Sequence, residues 1–374
     1  MKPMRVLQFI CPTGLYGAEM WILALARHLH SHKVHCQLAV TRESTNHPLE
    51  IVPRFRALNL TAHELAMKGK FDPRVIFSLA RLIQKERVDI IHTHGYKSDI
   101  LGLMAARLAR VKAVATPHGF ENVKDSRLQT YIRLGNSFLP FFDRVAPLSR
   151  ELERDMLRMG VPPGKIRMIQ NGVDLEEVEA EARPLKTETP RQNTFKICYI
   201  GQMAPRKNLG DMLQAFDLLH GEHSHCRLVL IGDGPERESL QARARSLPCG
   251  DAVDFLGYRS DRLALLGEMD LFTMSSSLEG IPRCMMEAMA MGIPVAAYDI
   301  PGVDQLVLHG KTGLLAPFGH VEQLKDCWKQ LLFHRDYAAE LSGNAREHIL
   351  QSFSGARMAL EYAALYGEML RGEA

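Results

Sequence analysis

The sequence predicts an α/β protein built from two doubly wound, parallel-sheet domains. Three observations lead to this prediction. The chain has 374 residues, more than one hydrophobic core usually supports, which favours two domains. Short apolar and β-branched runs alternate with helical stretches, as in a parallel sheet covered by helices, and this alternation occurs twice. A polar segment with few large apolar residues separates the two occurrences.

The first half of the chain predicts one of these domains, over residues 1–171. Helical periodicity extends over residues 18–29 and 100–108, and a charged helix is predicted from Glu151 to Met159. Apolar runs between and beside these stretches predict strands. The strand candidates are residues 6–10, 35–40, 88–94, 113–118 and 144–149.

The polar segment predicts a linker over residues 172–194, after which the alternation restarts over residues 195–352. The strand candidates there are residues 196–200, 227–232, 253–257, 270–274 and 293–298. The last residues, 353–374, predict a helix with one apolar face, formed by Met358, Tyr362, Leu365 and Met369. Because that face needs an apolar surface, we expect the helix to pack back on the first domain.

Composition and charge exclude several classes of protein. No apolar run approaches the roughly 18–20 residues of a membrane span, and the first apolar run is too short for a signal peptide, so a cytoplasmic protein is predicted. Residues 1–170 contain 26 Lys and Arg against 14 Asp and Glu, a net +12, whereas the remainder is −9. This asymmetry fits an anionic partner for the first domain or, equally, solvated charge on helix faces. No nucleic-acid partner is expected.

Glycine-containing loops follow several predicted strands, and in open α/β sheets ligands bind beyond the carboxyl ends of strands. The loop with Gly14 and Gly17 lacks the G-x-G-x-x-G spacing, which disfavours a nicotinamide dinucleotide. After the strand at 196–200, Lys207 precedes the next helix and could neutralise a diphosphate. It could equally be an ordinary surface lysine.

The most informative stretch covers residues 275–297. Pro282 suits the start of a short helix whose N-terminus points into the loop that contains Glu279. The eight residues from Glu279 to Glu287 span at most about 12 Å at helical rise. The two carboxylates could therefore hold different parts of one extended ligand, while the helix N-terminus accepts a diphosphate. Taken alone, both could also be ordinary solvated acids.

Together, these segments resemble the retaining glycosyltransferases of family 4, the bacterial-type group 1 glycosyl transferases. The resemblance extends over essentially the whole chain, from G-x-x-G-A-E near Gly17 through N-G-V-D, G-D-G-P, E-G-I-P-R-C-M-M-E and G-K-T-G-L-L. It implies the GT-B fold, in which two Rossmann-like domains face a central cleft. The first domain would bind the acceptor, and residues 195–352 would bind a nucleotide-sugar donor.

The resemblance also implies roles for individual residues. Glu279 would hold the hydroxyls of the donor sugar, Glu287 the ribose and Lys207 the diphosphate, and His118 would face the reacting sugar. The catalytic residues would be His118, Lys207 and Glu279. The donor site would comprise Gly17, Gln202, Arg206, Lys207, Tyr258, Arg259, Glu279, Gly280, Ile281, Pro282 and Glu287. The acceptor site would comprise Gly14, Tyr16, His94 and His118.

Two positions depart from the family pattern. Gln202 stands where an arginine is common, with Arg206 nearby, and Gln305 stands where a glutamate is usual. Both departures leave room for an impaired enzyme. The chain has no D-x-D acidic pair in a loop after a strand and no His or Cys cluster with metal-ligand spacing. His92 and His94 lie two residues apart on one face of a predicted strand, where we expect them to line the cleft or the core edge and not to bind a metal. We therefore expect no cofactor and no metal.

The resulting prediction is a retaining, metal-independent transfer of a hexose or N-acetylhexosamine, with UDP as the expected nucleotide. The acceptor would be a cell-envelope glycan, a lipid-linked acceptor or a small molecule. A nucleotide-sugar epimerase and a decayed, non-catalytic subunit remain alternatives. Residues 120–144 interleave bases with aromatics, which fits peripheral contact with an anionic membrane or, alternatively, an ordinary amphipathic helix. The residues concerned are Lys124, Arg127, Tyr131, Arg133, Phe138, Phe141 and Phe142.

Overall fold

The computed structural model describes residues 3–12, 14–15, 17–43, 49–69, 71–118, 132–181 and 194–372. The chain divides into two compact units. Unit 1 comprises Met1–Gly172 together with Gly355–Ala374, and unit 2 comprises Val173–Ser354. Each unit contains a six-stranded sheet in which all described strand pairs are parallel, so the α/β, doubly wound prediction is confirmed.

Unit 1 has the strand order β3-β2-β1-β4-β5-β6, the arrangement of a doubly wound Rossmann-type sheet. Its central strands are buried on both faces, which explains their nearly continuous apolar runs. The strands are β1 Met4–Ile10, β2 Val34–Arg42, β3 Thr61–Ala66, β4 Ile90–His94, β5 Lys112–Ala115 and β6 Arg144–Val145. The helices are α1 Gly17–Leu29, α2 Ile51–Ala57, α3 Arg74–Lys85, α4 Tyr96–Ala109 and α5 Arg150–Arg158.

Unit 2 repeats the same arrangement, in the order β12-β11-β10-β7-β8-β9. Its first strand therefore also lies beside its fourth, with the strand-order reversal between them. The strands are β7 Phe195–Ile200, β8 Cys226–Ile231, β9 Val253–Gly257, β10 Leu271–Met274, β11 Val295–Asp299 and β12 Leu314–Pro317. The helices are α6 Leu175–Glu181, α7 Leu209–Glu222, α8 Arg237–Arg245, α9 Arg262–Leu266, α10 Arg283–Ala290, α11 Val321–Phe333 and α12 Arg335–Ser352.

The segment predicted as a linker begins with an ordered helix. Helix α6 belongs to unit 2, and its Val178 is buried in the core of that unit. The polar composition of this segment conceals its contacts with unit 2, which come from buried Val178, partly buried Leu175 and Glu177, which pairs with Arg283. The remainder of the predicted linker, residues 182–193, lies outside the described residues.

The last helix, α13 (Gly355–Arg371), belongs to unit 1 although unit 2 separates it from the rest of that unit in sequence. Its Tyr362 ring lies 5.2 Å, centroid to centroid, from the ring of Trp21 in α1. All four residues of its predicted apolar face are buried. Within the described part of the chain, no helix has the length and apolar character needed to cross a membrane.

Candidate active site

A buried ion pair lies at the carboxyl edge of the unit 2 sheet. Strands β7 and β10 are parallel neighbours, so the loops that follow them meet at this edge. Lys207 in the first loop donates a hydrogen bond from Nζ to Oε1 of Glu279 in the second, and their side chains are only 8% and 7% exposed. Arg206, which is largely exposed, has Nη1 3.5 Å from Oε2 of Glu279. The structure thus brings three of the predicted donor-site residues together.

Two glycines with positive φ allow neighbouring backbone segments to pack closely against these loops. Gly302 has φ +90°, and a Cβ there would lie 1.6 Å from the carbonyl oxygen of Gly280, beside Glu279. Gly232 has φ +138°, and its Cβ would lie 1.9 Å from the carbonyl oxygen of Gly201. Only glycine permits these backbone approaches. The G-D-G-P turn therefore packs closely against the backbone at the start of the loop that contains Lys207, at Gly201 and Met203.

Glu287 lies on α10 in a different environment. Its side chain is 1% exposed, and Arg262 Nη2 and Arg283 Nε each lie 2.7 Å from its Oε1. Arg283 also donates from Nη2 to Oε2 of Glu177 on α6, at 2.9 Å. Burial alone would raise the pKa of Glu287, but the two arginines outweigh it and lower that pKa. The carboxylate is therefore held ionised.

The other predicted donor-site residues surround this edge less closely. Gln202 is exposed, and its carbonyl accepts the hydroxyl of Tyr199 at 2.9 Å. Tyr258 is 64% exposed, and Arg259 forms an exposed ion pair with Asp261 at 2.5 Å. Gly280 is exposed, whereas the side chains that follow it are buried, namely Ile281 and Pro282.

In unit 1, the predicted histidines lie at the carboxyl edge of β1, β4 and β5. His94 is the last residue of β4, and its Nδ1 lies 3.2 Å from Nε2 of His118, which follows β5. The other ring nitrogen of His94, Nε2, lies 2.8 Å from Oε1 of Gln8 on β1. Gln8 in turn donates from Nε2 to the hydroxyl of Tyr366 on α13, at 3.4 Å.

The same chain of hydrogen bonds continues beyond Tyr366. Its hydroxyl lies 2.7 Å from Nδ1 of His92, and Nε2 of His92 lies 2.8 Å from Oγ1 of Thr116. Oγ1 of Thr116 is 2.9 Å from the hydroxyl of Tyr362. Polar groups buried in this way normally find partners, and these side chains supply them to one another. The seven residues from His118 to Tyr362 are called the histidine network below.

Burial determines the charge state of this network. It lowers the pKa of His92 and of His94 well below 6.5, and it lowers the pKa of the half-buried His118 to about 3. All three rings are therefore neutral at pH 7. No group of three or more potential metal ligands occurs within the described residues, these histidines included.

The remaining site predictions concern the loop before α1, where Gly17 is predicted for the donor site and Gly14 and Tyr16 for the acceptor site. Gly17 is the exposed first residue of that helix, and the space where a Cβ would stand is open. Gly14 is half-buried. Tyr16 lies outside the described residues, so its assignment to the acceptor site stays a prediction. The roles assigned to all other site residues likewise stay predictions, whatever their positions.

Sequence reasoning missed several residues of these clusters. Arg283 stands four residues before Glu287, a spacing that pairs charges on one helix face and could have been noticed. Gln8 is a polar residue inside an apolar strand, which is another usable signal. The remaining partners are distant in sequence and carry no local signal, namely Arg262, Glu177, Tyr362 and Tyr366.

Both halves of the chain match known families. Residues 16–177 match Glycosyltransferase Family 4, and residues 184–348 match Glycosyl transferases group 1. The chain is 27% identical over 328 residues to N-acetyl-alpha-D-glucosaminyl L-malate synthase of Bacillus anthracis, covering 85% of each chain. It is 28% identical over 313 residues to UDP-Gal:alpha-D-GlcNAc-diphosphoundecaprenol alpha-1,3-galactosyltransferase of Escherichia coli, covering 80% of each.

A solved structure shows the same fold. HepE of Anabaena in complex with UDP-glucose superimposes with a TM-score of 0.82 at 19% identity, over 99% of this chain and 100% of that one. The fold and the matches define the class as the GT-B glycosyltransferases. Within that class, the chain belongs to the group 1 family and is a glycosyltransferase. The predictions of fold, family and enzyme class are confirmed, and neither the epimerase nor the decayed subunit is favoured.

Proposed function

We propose that this enzyme transfers a hexose or N-acetylhexosamine from a UDP-sugar with retention of configuration and without a metal ion. The observation that carries the proposal is the buried pair of Lys207 and Glu279 beyond β7 and β10, where open α/β sheets bind ligands. Two similar proteins support UDP as the nucleotide. HepE of Anabaena has been crystallised with UDP-glucose, and the name of the Escherichia coli relative specifies UDP-Gal.

In the proposed donor complex, Lys207 exchanges its carboxylate partner for the diphosphate. A cation of low exposure acts on a leaving phosphate far more strongly than one in water, because little solvent screens it. The N-terminus of α10, an eight-residue helix that follows Pro282 and has no side-chain cap, comes directly after the same loop and favours an anion. Glu279, released from Lys207, then accepts hydrogen bonds from the sugar hydroxyls. Arg206 supplies a second positive charge at the rim.

The proposed chemistry is a front-face substitution at the anomeric carbon. The bond from that carbon to the diphosphate oxygen breaks, and the acceptor oxygen forms the new bond on the same face. The acceptor's proton passes to the departing phosphate oxygen, so no protein base is needed. The lack of any three-residue metal-ligating group in the described part of the chain supports leaving-group stabilisation by Lys207 and amides.

The ribose role proposed for Glu287 is constrained by its arginines. Both Arg262 and Arg283 contact Oε1. A ribose hydroxyl would therefore be accepted by the other oxygen, Oε2. In this arrangement the arginines keep Glu287 ionised and oriented, and the carboxylate pays little additional desolvation when the ligand arrives.

The donor part of this proposal is tested with the purified enzyme and a panel of nucleoside diphosphates. Because a ligand that binds only the folded state raises its apparent stability, UDP at saturating concentration should raise the melting temperature more than GDP or ADP at the same concentration. Release of UDP from a panel of UDP-sugars should then require an acceptor extract. A larger shift with GDP or ADP would overturn the assignment of UDP. Isomerisation without acceptor would overturn transfer.

We further propose that unit 1 meets its acceptor on an anionic membrane surface. Residues 1–170 are net +12, and a cavity of about 230 Å³ opens beside the first residues of β5 and β6. Its lining contains four bases against one acid, together with apolar groups. The charged lining residues are Arg107, Lys112, Arg144, Lys165 and Asp143. Of the earlier membrane-contact candidates, Phe141 is 62% exposed, whereas Phe142 is buried in the core of unit 1. Lys124, Arg127 and Tyr131 lie outside the described residues.

Flotation with liposomes tests this proposal. The enzyme should float with vesicles that contain anionic lipid at low salt and remain in solution with neutral vesicles. Arg107→Glu combined with Lys165→Glu should reduce flotation, whereas Arg81→Glu combined with Lys85→Glu, at two exposed positions of α3, serves as the charge-matched comparison. An equal loss of flotation in both variants would show that only net charge matters and that the cavity does not bind the membrane. If the parent enzyme did not float with anionic vesicles, the membrane proposal would be wrong.

A further inference from the structure

The donors and acceptors of the hydrogen bonds between Gln8 and His118 can be assigned from the orientation of the Gln8 amide. Gln8 donates from Nε2 to the hydroxyl of Tyr366, so its Oε1 faces His94. A carbonyl oxygen only accepts hydrogen bonds, and Nε2 of His94 must therefore carry a proton. A neutral imidazole has one N–H, which leaves Nδ1 of His94 as an acceptor. The atom facing it, Nε2 of His118, must then be the donor.

This reasoning fixes the tautomer of His118. Its single proton lies on Nε2 and is used within the network, so its Nδ1 is a bare acceptor. The other branch agrees with this direction. The hydroxyl of Tyr366 can accept from Gln8 and donate its own proton to Nδ1 of His92, whose Nε2–H then donates to Thr116.

We propose that Gln8 and Tyr366 are positioning residues that hold His118 in the Nε2–H tautomer with Nδ1 as an acceptor. His118 takes the opposite tautomer only if the side-chain amide of Gln8 is reversed. If that amide were reversed, Gln8 would donate to Nε2 of His94, and Nδ1 of His94 would donate to Nε2 of His118. His118 would then carry its proton on Nδ1. The two patterns give opposite hydrogen-bonding properties to the only half-buried ring of the network. The helix α13 thereby controls what His118 can bind.

Ring packing supports a fixed geometry for the network. The indole of Trp21 lies against three of its rings, with centroid distances of 5.7 Å to His92, 5.1 Å to His94 and 5.2 Å to His118. Burial keeps all three imidazoles neutral, so each has one donor and one acceptor nitrogen. Reversal of the tautomer pattern therefore requires the amide of Gln8 to rotate, not the histidine rings.

The functional consequence rests on the proposed function. If His118 contacts the reacting sugar or the acceptor, an Nδ1 acceptor would receive a hydrogen bond from a hydroxyl group and could not protonate a leaving group. The tautomer itself can be measured without any substrate. Failure of the tautomer assignment is therefore distinguishable from failure of the sugar-transfer proposal.

The test is a long-range ¹⁵N–¹H spectrum of the full chain labelled in its histidine rings, with the His118 signals assigned by their loss in His118→Gln. In the parent enzyme we expect Nε2 of His118 protonated and Nδ1 unprotonated. In Tyr366→Phe the amide of Gln8 loses its hydroxyl partner, and both tautomers should be populated. The matched control is Tyr362→Phe, the same truncation one turn earlier on α13, which removes a hydroxyl that is hydrogen-bonded to Thr116 and keeps the ring that packs against His92.

Activity gives a second measurement. Tyr366→Phe should lower the turnover number about tenfold, within the range seen for partners that orient a functional histidine, and leave UDP affinity unchanged. Tyr362→Phe should lower it less. A parent His118 protonated on Nδ1, or a tautomer unaffected by Tyr366→Phe, would overturn the proposal. So would an equal response to Tyr362→Phe in the spectrum.

Discussion

The two units present different electrostatics at the same position of the same scaffold. Both sheets have the doubly wound order, and both place a buried polar cluster near the carboxyl ends of their central strands. In unit 2 the cluster is ionic, with Lys207 paired to Glu279 and Glu287 paired to two arginines. In unit 1 the cluster is the neutral histidine network. The sheet thus determines where a site forms, and the side chains determine which ligand chemistry suits it.

The difference fits the division of labour proposed above. A diphosphate carries charge that must be balanced, and ion-paired cations in a site of low exposure can exchange a carboxylate partner for a phosphate. Sugar and acceptor hydroxyl groups carry no charge, and fixed neutral donors and acceptors suit them. The comparison also predicts how each unit fails when its cluster is altered.

The largest expected effect is on the stability of unit 2. Glu287→Ala leaves Arg262 and Arg283 buried without their carboxylate, and removal of one partner of a buried ion pair costs about 3–5 kcal/mol. Urea unfolding of unit 2 can be followed by Trp328 fluorescence in a Trp21→Phe background, because each unit contains one of the two tryptophans. The control is Glu268→Ala, which removes an acid that is 53% exposed. Similar unfolding midpoints for the two variants would contradict the importance of burial.

The next effect is on catalysis. Lys207→Ala removes the buried cation proposed to stabilise the leaving diphosphate, and a loss of about 10²–10³-fold in turnover is typical when such a preorganised group is removed. Turnover is measured as acceptor-dependent UDP release. Arg206→Ala, in the same loop but largely exposed, should cost much less. If the two variants lost activity equally, the buried pair would not be the principal hold on the diphosphate.

The neutral cluster predicts a third effect, a fall in the stability of unit 1 at acidic pH. The pKa values of His92 and His94 are lower in the folded chain than the unfolded value of 6.5, so the unfolded state takes up protons first. Stability is therefore full above pH 6.5 and falls as the pH drops below it. Each histidine contributes about 1.36 kcal/mol per pH unit, and Asp99, whose pKa burial raises to about 7, opposes the pair by about the contribution of one histidine, so a net loss remains.

The ionic cluster responds in a lower pH range. The folded pKa of Glu287 lies below its ordinary value of 4.5, so the stability it contributes is present above that pH and is lost below it. Trp21 fluorescence in Trp328→Phe should therefore show unit 1 weakening between pH 6.5 and 5.5, while Trp328 in Trp21→Phe reports little change. Equal weakening of both units over this range would remove the distinction between the two clusters.

The smallest effect separates buried from exposed charge within unit 2. Arg259→Ala breaks an exposed pair with Asp261, and pairs of this kind rarely contribute measurably to stability. Its unfolding midpoint in urea should equal that of the parent. Arg262→Ala, three residues later, removes a partner of buried Glu287 and should lower the midpoint. A reversed order would show that exposure does not determine which arginine matters.

The sequence predicted the fold well because its signals were local. Strands buried on both faces leave apolar runs, and β7, for example, matches the predicted run at 196–200 closely. Lys207 and the two glutamates were found because strand-end loops and helix starts have local signatures. The networks could not be predicted in the same way. Gln8 and Tyr366 are 358 residues apart, and no spacing rule connects them.

The sequence also could not show which charges are neutralised. Glu287 is an unremarkable helix acid in the chain, yet its side chain is 1% exposed in the fold and shared by two arginines. Its partner Arg262 lies 25 residues earlier, on α9. The same holds for α6, whose acidic composition suggested a solvated linker. Tertiary packing, which propensity and pattern do not report, decides these cases.

The position of α13 has a consequence for biosynthesis. Most of unit 1 precedes unit 2 in sequence, but its core includes Met358, Tyr362 and Tyr366, which a ribosome adds only after all of unit 2. Domains usually fold in the order in which they are made. Here unit 2 is continuous in sequence and can complete its core first. During that time unit 1 still exposes the apolar surface on which α13 later packs. The nascent chain therefore carries an open apolar surface in unit 1 until α13 has been synthesised and packs onto it.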